Sequence, residues 1–218
     1  MTDLVIVGAG GFGRETAWMV EQMPSWNLLG FYDDGVKLGT IVQGKKVVGS
    51  VSSLNEIRES LAVVIAVADP STRQRLAASL TNKKLSFPTL IHPAANVGHS
   101  SNRIGMGCII TAGVIMTTGS TVKDFVIINL ATTIGHDVII AEFTSVMPQC
   151  SISGNVKIGK KCLIGSGARI LQGITIGEYS VVGAGAVVTK SFGDNAKLMG
   201  IPAVNKSDTP VSTSNFNC

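Results

Sequence analysis

Charge is scarce in this 218-residue chain: Asp, Glu, Lys and Arg together make up 15% of it, and Phe, Trp and Tyr only 5%. The basic excess is small, 18 Lys and Arg against 14 Asp and Glu, and the basic residues are scattered, so no nucleic-acid surface is expected. An anionic small molecule suits the net charge of +4 as well. Long apolar runs are missing too. None reaches the ~18 residues that span a bilayer, and the opening MTDLVIVGAGGFG has no basic segment ahead of its apolar one. No membrane partner and no secretory signal are therefore expected, and the cytoplasm is the expected compartment. The four cysteines, Cys108, Cys150, Cys162 and Cys218, include no CxxC pair, which argues against a zinc ribbon or a dithiol redox site. What the chain does have is 45% apolar residues and 25 glycines, too hydrophobic for a disordered tail and too glycine-punctuated for a helical bundle.

The glycines belong to a repeat. From Ile104 every sixth residue is aliphatic through Ile110, Met116, Val122, Ile128, Ile134, Ile140, Val146, Ile152, Ile158, Ile164, Ile170, Ile176, Val182 and Val188. At the 45% apolar frequency such a run has a probability on the order of 10⁻⁵ per phase. From Ile110 on, two residues before each aliphatic lies a small or aliphatic residue, among them Cys108, Cys150 and Cys162, so these three thiols are expected to pack inward. Glycine often follows the aliphatic, as at Gly105, Gly135, Gly159, Gly165, Gly177 and Gly183, and a tight turn is the expected reason. A hexapeptide period builds a parallel β-helix, three hexads to a triangular coil, with the aliphatics stacked in one buried column.

The first 88 residues read differently. Leu4-Val5-Ile6-Val7 leads into Gly8-Ala9-Gly10-Gly11-Phe12-Gly13, then an amphipathic stretch from Arg14 to Met23, then Leu28 to Tyr32 ending at Asp33-Asp34. This is strand, glycine turn, helix, strand, and Gly8, Gly10 and Gly13 match G-x-G-x-x-G with an acidic pair about 20 residues on, placed for a ribose hydroxyl. Val63 to Val67 forms a further strand, ending at Ala68-Asp69 and followed by a helical stretch through Leu80. The expected organisation is a Rossmann-like α/β domain over 1–88, a β-helix over 89–206 and a polar, disordered tail over 207–218. Fewer than 90 residues supply one mononucleotide half, so a nucleotide or nucleotide-sugar suits the glycine turn better than a nicotinamide dinucleotide. A ligand-free glycine turn is the alternative.

His136, in Ile134-Gly135-His136-Asp137, is the only histidine inside the regular repeat, and it falls at a corner, where its side chain can point outward. An imidazole titrates near neutral pH and can serve as a general base, with Asp137 or Glu142 to orient it. One coil further on, Gly154 offers a backbone N–H to an oxyanion. From spacing alone, a surface histidine without a role remains the alternative. His92 and His99 sit at the irregular start of the repeat and read as structural.

The chain resembles the bacterial acyl-CoA-dependent sugar acyltransferases of the PglD and NeuD type, nucleotide-aminosugar N-acetyltransferases and sialic acid O-acetyltransferases. The resemblance covers about residues 3–206 and rests on GAGGFGRE, FYDD, VIAVAD, FPTLIHPAA, IGHDVII, SGNVKIG, VVGAGAVVTK and the late GIPA. It implies a left-handed β-helix, a homotrimer and acetyl-CoA as co-substrate, with no metal. It also implies His136 as the base that takes a proton from the acceptor, Asp137 as its partner and Gly154 as the donor to the thioester oxygen. Gly10, Gly11, Phe12, Asp33, Asp34, Ala68 and Asp69 become contacts for a UDP- or dTDP-linked 4-amino sugar of surface-glycan, including lipopolysaccharide, synthesis. Ser145, Ser166, Gly183 and Ala184 become contacts for acetyl-CoA in a groove between two prisms. Two departures touch ligand positions: Ser145 stands where some members have a second histidine, and Phe12 stands where others have a histidine in the glycine turn. Both bear on the acceptor rather than on the chemistry. O-acetylation of a sialic acid or another polysaccharide sugar is the first alternative, and a silent nucleotide-binding scaffold or a nicotinamide-dependent oxidoreductase are the others.

Overall fold

The structure, a computed structural model, describes residues 1–98 and 101–206. His99 and the expected tail over 207–218 lie outside the described residues.

The N-terminal part is a six-stranded sheet. It is built from β1 (Thr2–Val7), β2 (Trp26–Tyr32), β3 (Ile41–Val42), β4 (Lys45–Gly49), β5 (Leu61–Ile65) and β6 (Leu85–Ser86), in the order β3-β4-β2-β1-β5-β6. All neighbours are parallel except the β3–β4 hairpin, which the sequence reading lacked. Helix α1 (Gly11–Glu21) follows β1, and α2 (Pro70–Ser79) follows β5. Helix α1 begins inside the glycine turn, three residues earlier than the amphipathic pattern, because the apolar stripe that marks it in sequence only starts where it meets the sheet. Gly13 is where helix and strand touch: a Cβ there would run into the Gly8 carbonyl.

From Arg103–Ile104 to Val187–Val188, two-residue strands recur every six residues and pair with strands 18 residues away, so that Ile115 lies on Thr133, Thr121 on Ile139 and Ile127 on Ser145. Two faces are sheets of five strands and the third has eight, opening at Leu90–Ile91 and closing with an antiparallel strand at Val204–Asn205. The expected column is present: the aliphatics from Ile110 to Val188 are buried, with Cys108, Cys150 and Cys162 among them. These thiols are free, and burial pushes each up to about 11.

The glycines after the aliphatics have a different reason from the expected one. None adopts a positive φ; the left-handed residue comes two positions later, at every sixth residue from Gly107 to Gly185, and is Phe125, Ala131, Asp137, Phe143, Gln149, Asn155, Lys161 or Tyr179 as readily as glycine. What requires glycine is the neighbouring coil. A Cβ on Gly135 would stand 2.7 Å from Gly154 N, and one on Gly165 2.6 Å from Ala184 N. Each non-glycine corner costs about 1–2 kcal/mol, which the ladder and the packed column offset.

The N-terminal sheet sits on one prism face. The first residue of each two-residue strand points outward, and on that face Ile109 and Ile127 are 0% and 1% exposed, whereas Ile115 and Ile139 on the other faces are 48% and 39% exposed. Arg73 of α2 locks the contact, donating to the Phe125, Phe143, Val67 and Ala68 carbonyls at 2.6 to 3.1 Å. Burial pulls this guanidinium down to about 10, against the opposing pull of Asp69.

Candidate active site

The corner that follows Thr133–Ile134 carries His136 outward, its side chain 49% exposed. Asp137 occupies the left-handed position of that corner, φ +57°, and folds its carboxylate back so that Oδ2 lies 2.9 Å from His136 Nδ1. Asp137, not Glu142, is therefore the histidine's partner. With Nδ1 held as donor to the carboxylate, Nε2 is the nitrogen with a free lone pair.

Beneath the imidazole lies Gly154, one coil on. A Cβ there would run into His136 Nε2 and stand 2.6 Å from Cε1 and 2.8 Å from Cδ2, so only glycine leaves room for the ring. The Gly154 N–H makes no hydrogen bond among the described residues. At the same turn position on another edge, the Met106 and Glu178 N–H groups each donate to a carboxylate oxygen, of Asp124 at 3.0 Å and Asp194 at 2.7 Å. At two corners, then, this amide receives a carboxylate oxygen. His136, Asp137 and Gly154 come together as expected, and the arrangement has the parts of a base-assisted acyl transfer.

In the N-terminal part, Gly10 and Gly11 line a cleft of about 450 Å³ with Ala9, Arg14, Ile41, Val42 and Gln43. Nothing lies within 4 Å of a Cβ built on either glycine, and α1 has neither a side-chain cap nor an acidic residue in its first turn, so its N–H groups face open space. Phe12, also expected here, does not line this cleft; its ring packs on the core. Arg14 was missed by the sequence reading, although its place directly after the glycine fingerprint was the available signal.

The acidic pair is more committed than its sequence position suggests. Asp33 accepts from the N–H groups of Ala9, Gly35 and Val36 at 2.7 to 2.9 Å, closing the glycine turn, while Asp34 Oδ1 accepts from Val51 N. Both line a cleft of about 480 Å³ walled by Val36, Leu38, Val47 and Val48. Asp69 caps α2 through Thr72 N, and the Ala68 carbonyl accepts from Arg73 and from Ser145.

That last bond corrects one expectation. Ser145 is fully buried beneath the N-terminal part and donates to the Ala68 carbonyl at 2.6 Å, so it ties the two parts together and offers no surface to acetyl-CoA. Ser166 and Ala184 are exposed and stacked on another edge, with Gly183 half-buried beside them. That edge is not the one that carries His136. Among the described residues no group of three metal-ligating side chains is gathered, and no helix is long and apolar enough to cross a membrane.

Residues 3–80 match the family described as the PglD N-terminal domain, and residues 155–190 match the bacterial transferase hexapeptide, six repeats. The chain is 32% identical over 185 residues to GDP-perosamine N-acetyltransferase of Escherichia coli O157:H7, covering 83% of this chain and 82% of that one. A histidine-to-asparagine mutant of perosamine N-acetyltransferase from Caulobacter crescentus, solved in complex with CoA and GDP-perosamine, superposes with a TM-score of 0.89 at 30% identity, over 95% of this chain and 98% of that one. The acetyltransferase domain of PglB from Neisseria gonorrhoeae FA1090, in complex with acetyl coenzyme A, gives 0.87 at 31%, over 93% and 98%.

Proposed function

The chain belongs to the acyl-CoA-dependent sugar acetyltransferases of the PglD and NeuD type, with their left-handed β-helix, and we propose that it acetylates the amine of a nucleotide-linked 4-amino sugar with His136 as general base. The observation that carries the reading is the stack at one corner: an imidazole fixed through Nδ1 by Asp137, directly over the N–H of Gly154, which has no partner among the described residues. The neutral amine of the acceptor attacks the thioester carbonyl of acetyl-CoA while Nε2 takes its proton. The oxyanion that forms meets the Gly154 N–H. Collapse breaks the C–S bond, and the CoA thiolate leaves with the proton returned by the imidazolium. General-base help of this kind is worth about 10²- to 10⁴-fold, and one oxyanion donor about 10²- to 10³-fold.

Residues 1–88 hold the acceptor in this reading, and residues 89–206 do the chemistry. The open N-terminus of α1, with Arg14 beside Gly10 and Gly11, suits the diphosphate, and the cleft at Asp33 and Asp34 suits the nucleoside. The family resemblance implies UDP or dTDP, and the relatives named for, or bound to, GDP-perosamine support GDP as a further nucleotide with the same diphosphate.

A homotrimer completes the site. His136 stands on the edge opposite the face covered by the N-terminal part, and Ser166, Gly183 and Ala184 stand on a third position around the prism. In one chain the acceptor, the base and these cofactor contacts are separated by the prism itself. A second prism set against the first supplies the missing wall for a long, thin co-substrate.

The test follows CoA release from acetyl-CoA with UDP-, dTDP- and GDP-linked 4-amino sugars and with sialic acid, for the parent protein and His136→Ala. Turnover of an amino sugar that falls at least about 100-fold in the variant, with unchanged melting, is the expected result. Turnover of a hydroxyl acceptor alone would replace N- by O-acetylation, and turnover that survives His136→Ala would remove His136 as base.

A further inference from the structure

Gly119 lies one coil before Asp137, at the left-handed position of the same edge, φ +70°. Its φ does not explain the glycine, because Phe125, Ala131, Phe143 and Asn155 hold the same conformation with side chains. The neighbouring coil does. A Cβ built on Gly119 would run into Asp137 Oδ1 and stand 3.4 Å from Asp137 Cγ, so the Asp137 carboxylate fills the space a side chain would take. Left-handed position and close contact do not go together of themselves: a Cβ on Gly113 meets nothing nearer than 3.6 Å and one on Gly167 or Gly185 nothing within 4 Å, whereas one on Gly107 would meet the Phe125 ring, so at Gly107 and Gly119 it is the side chain one coil on that takes the space.

The backbone at Gly119 is itself pinned. Ser101 Oγ accepts from the Gly119 N–H at 3.1 Å and shares a hydrogen bond with Thr118 Oγ1 at 2.8 Å, and the Thr118 carbonyl accepts from Asp137 N at 3.0 Å. The His136–Asp137 pair is therefore held between two glycines from the coils on either side, Gly119 against the carboxylate and Gly154 against the ring.

Resting on His136 as the base, we propose that Gly119 is a positioning residue for the reaction: its missing side chain lets the Asp137 carboxylate fold back onto His136 Nδ1. Any side chain at 119 moves the carboxylate, and the imidazole loses the contact that fixes its tautomer and its aim at the acceptor. Gly119 touches no substrate; it acts through Asp137.

The experiment compares Gly119→Ala, Asp137→Ala, the double variant, and Gly113→Ala as a control for placing alanine at positive φ away from this edge. Gly119→Ala is expected to lower kcat roughly 10- to 100-fold with KM for acetyl-CoA and for the nucleotide-sugar unchanged. Gly113→Ala keeps the parent kcat. In the Asp137→Ala background Gly119→Ala adds little, because the group it displaces is gone. Equal losses with and without Asp137, or a parental kcat in Gly119→Ala, overturns the inference. His136→Ala run alongside separates the two readings: if it retains turnover, the base assignment fails, whereas its loss beside an unaffected Gly119→Ala overturns the positioning role alone.

Discussion

The prism presents one template to two surroundings. On the face that carries Ile109, Ile127 and Ser145, these three outward residues are as buried as the inward column, because the N-terminal part covers them. On the edge that carries His136 and Asp137, the same outward direction leads to water, with side chains 49% and 59% exposed. Backbone, register and inward residues are alike in both. The hexapeptide period constrains only what points in, so docking on one side and the proposed chemistry on the other are written into positions the repeat leaves free.

The largest test breaks the covered side. Arg73→Met keeps the apolar stem and strips the donors from four carbonyls, those of Phe125, Phe143, Val67 and Ala68. A loss of about 3–5 kcal/mol is expected in denaturant unfolding, with the N-terminal part released first. Ile127→Ser comes next, at about 2–4 kcal/mol, since it sets a hydroxyl between sheet and prism. The same change at Ile139, on an open face of the chain, is expected to stay within about 0.5 kcal/mol for folding.

The inward column gives a smaller, pH-dependent effect. The thiols of Cys108, Cys150 and Cys162 are raised to about 11 in the folded chain by burial. A raised acid holds its proton longer when folded, so its contribution is complete below the unfolded value and disappears as pH climbs through 11. Between pH 8 and 10 each thiol is expected to withdraw roughly 1 kcal/mol, seen as a falling melting temperature. Replacing Cys150 with Ala should flatten that fall.

Legibility in the sequence follows the same division. The column was readable because fifteen successive sixth positions obey one rule, and His136 was readable because it is the only histidine inside the regular repeat. Ser145 was not, since an outward serine looks the same whether water or another part of the chain lies over it. Arg73 gave no warning either: an arginine on a short helix reads as a solvated face, and only the fold reveals that it is buried against two prism corners. The glycines were found for the wrong reason, because close approach between coils 18 residues apart leaves the same mark as a turn.

The smallest expected effect tests whether acceptor binding and chemistry are as separable as their places suggest. Arg14 is exposed beside the open N-terminus of α1 and its side chain makes no hydrogen bond among the described residues, so Arg14→Ala should leave stability within about 0.5 kcal/mol. In the proposed reading its guanidinium, together with the N–H groups of the glycine turn, meets the two phosphates of the nucleotide-sugar, a solvent-screened contact worth about 1 kcal/mol. KM for the nucleotide-sugar should therefore rise roughly 3- to 10-fold, with kcat and KM for acetyl-CoA unchanged. A fall in kcat instead would mean that the diphosphate grip sets how the amine meets His136, which would make the N-terminal part a member of the catalytic site rather than its loading dock.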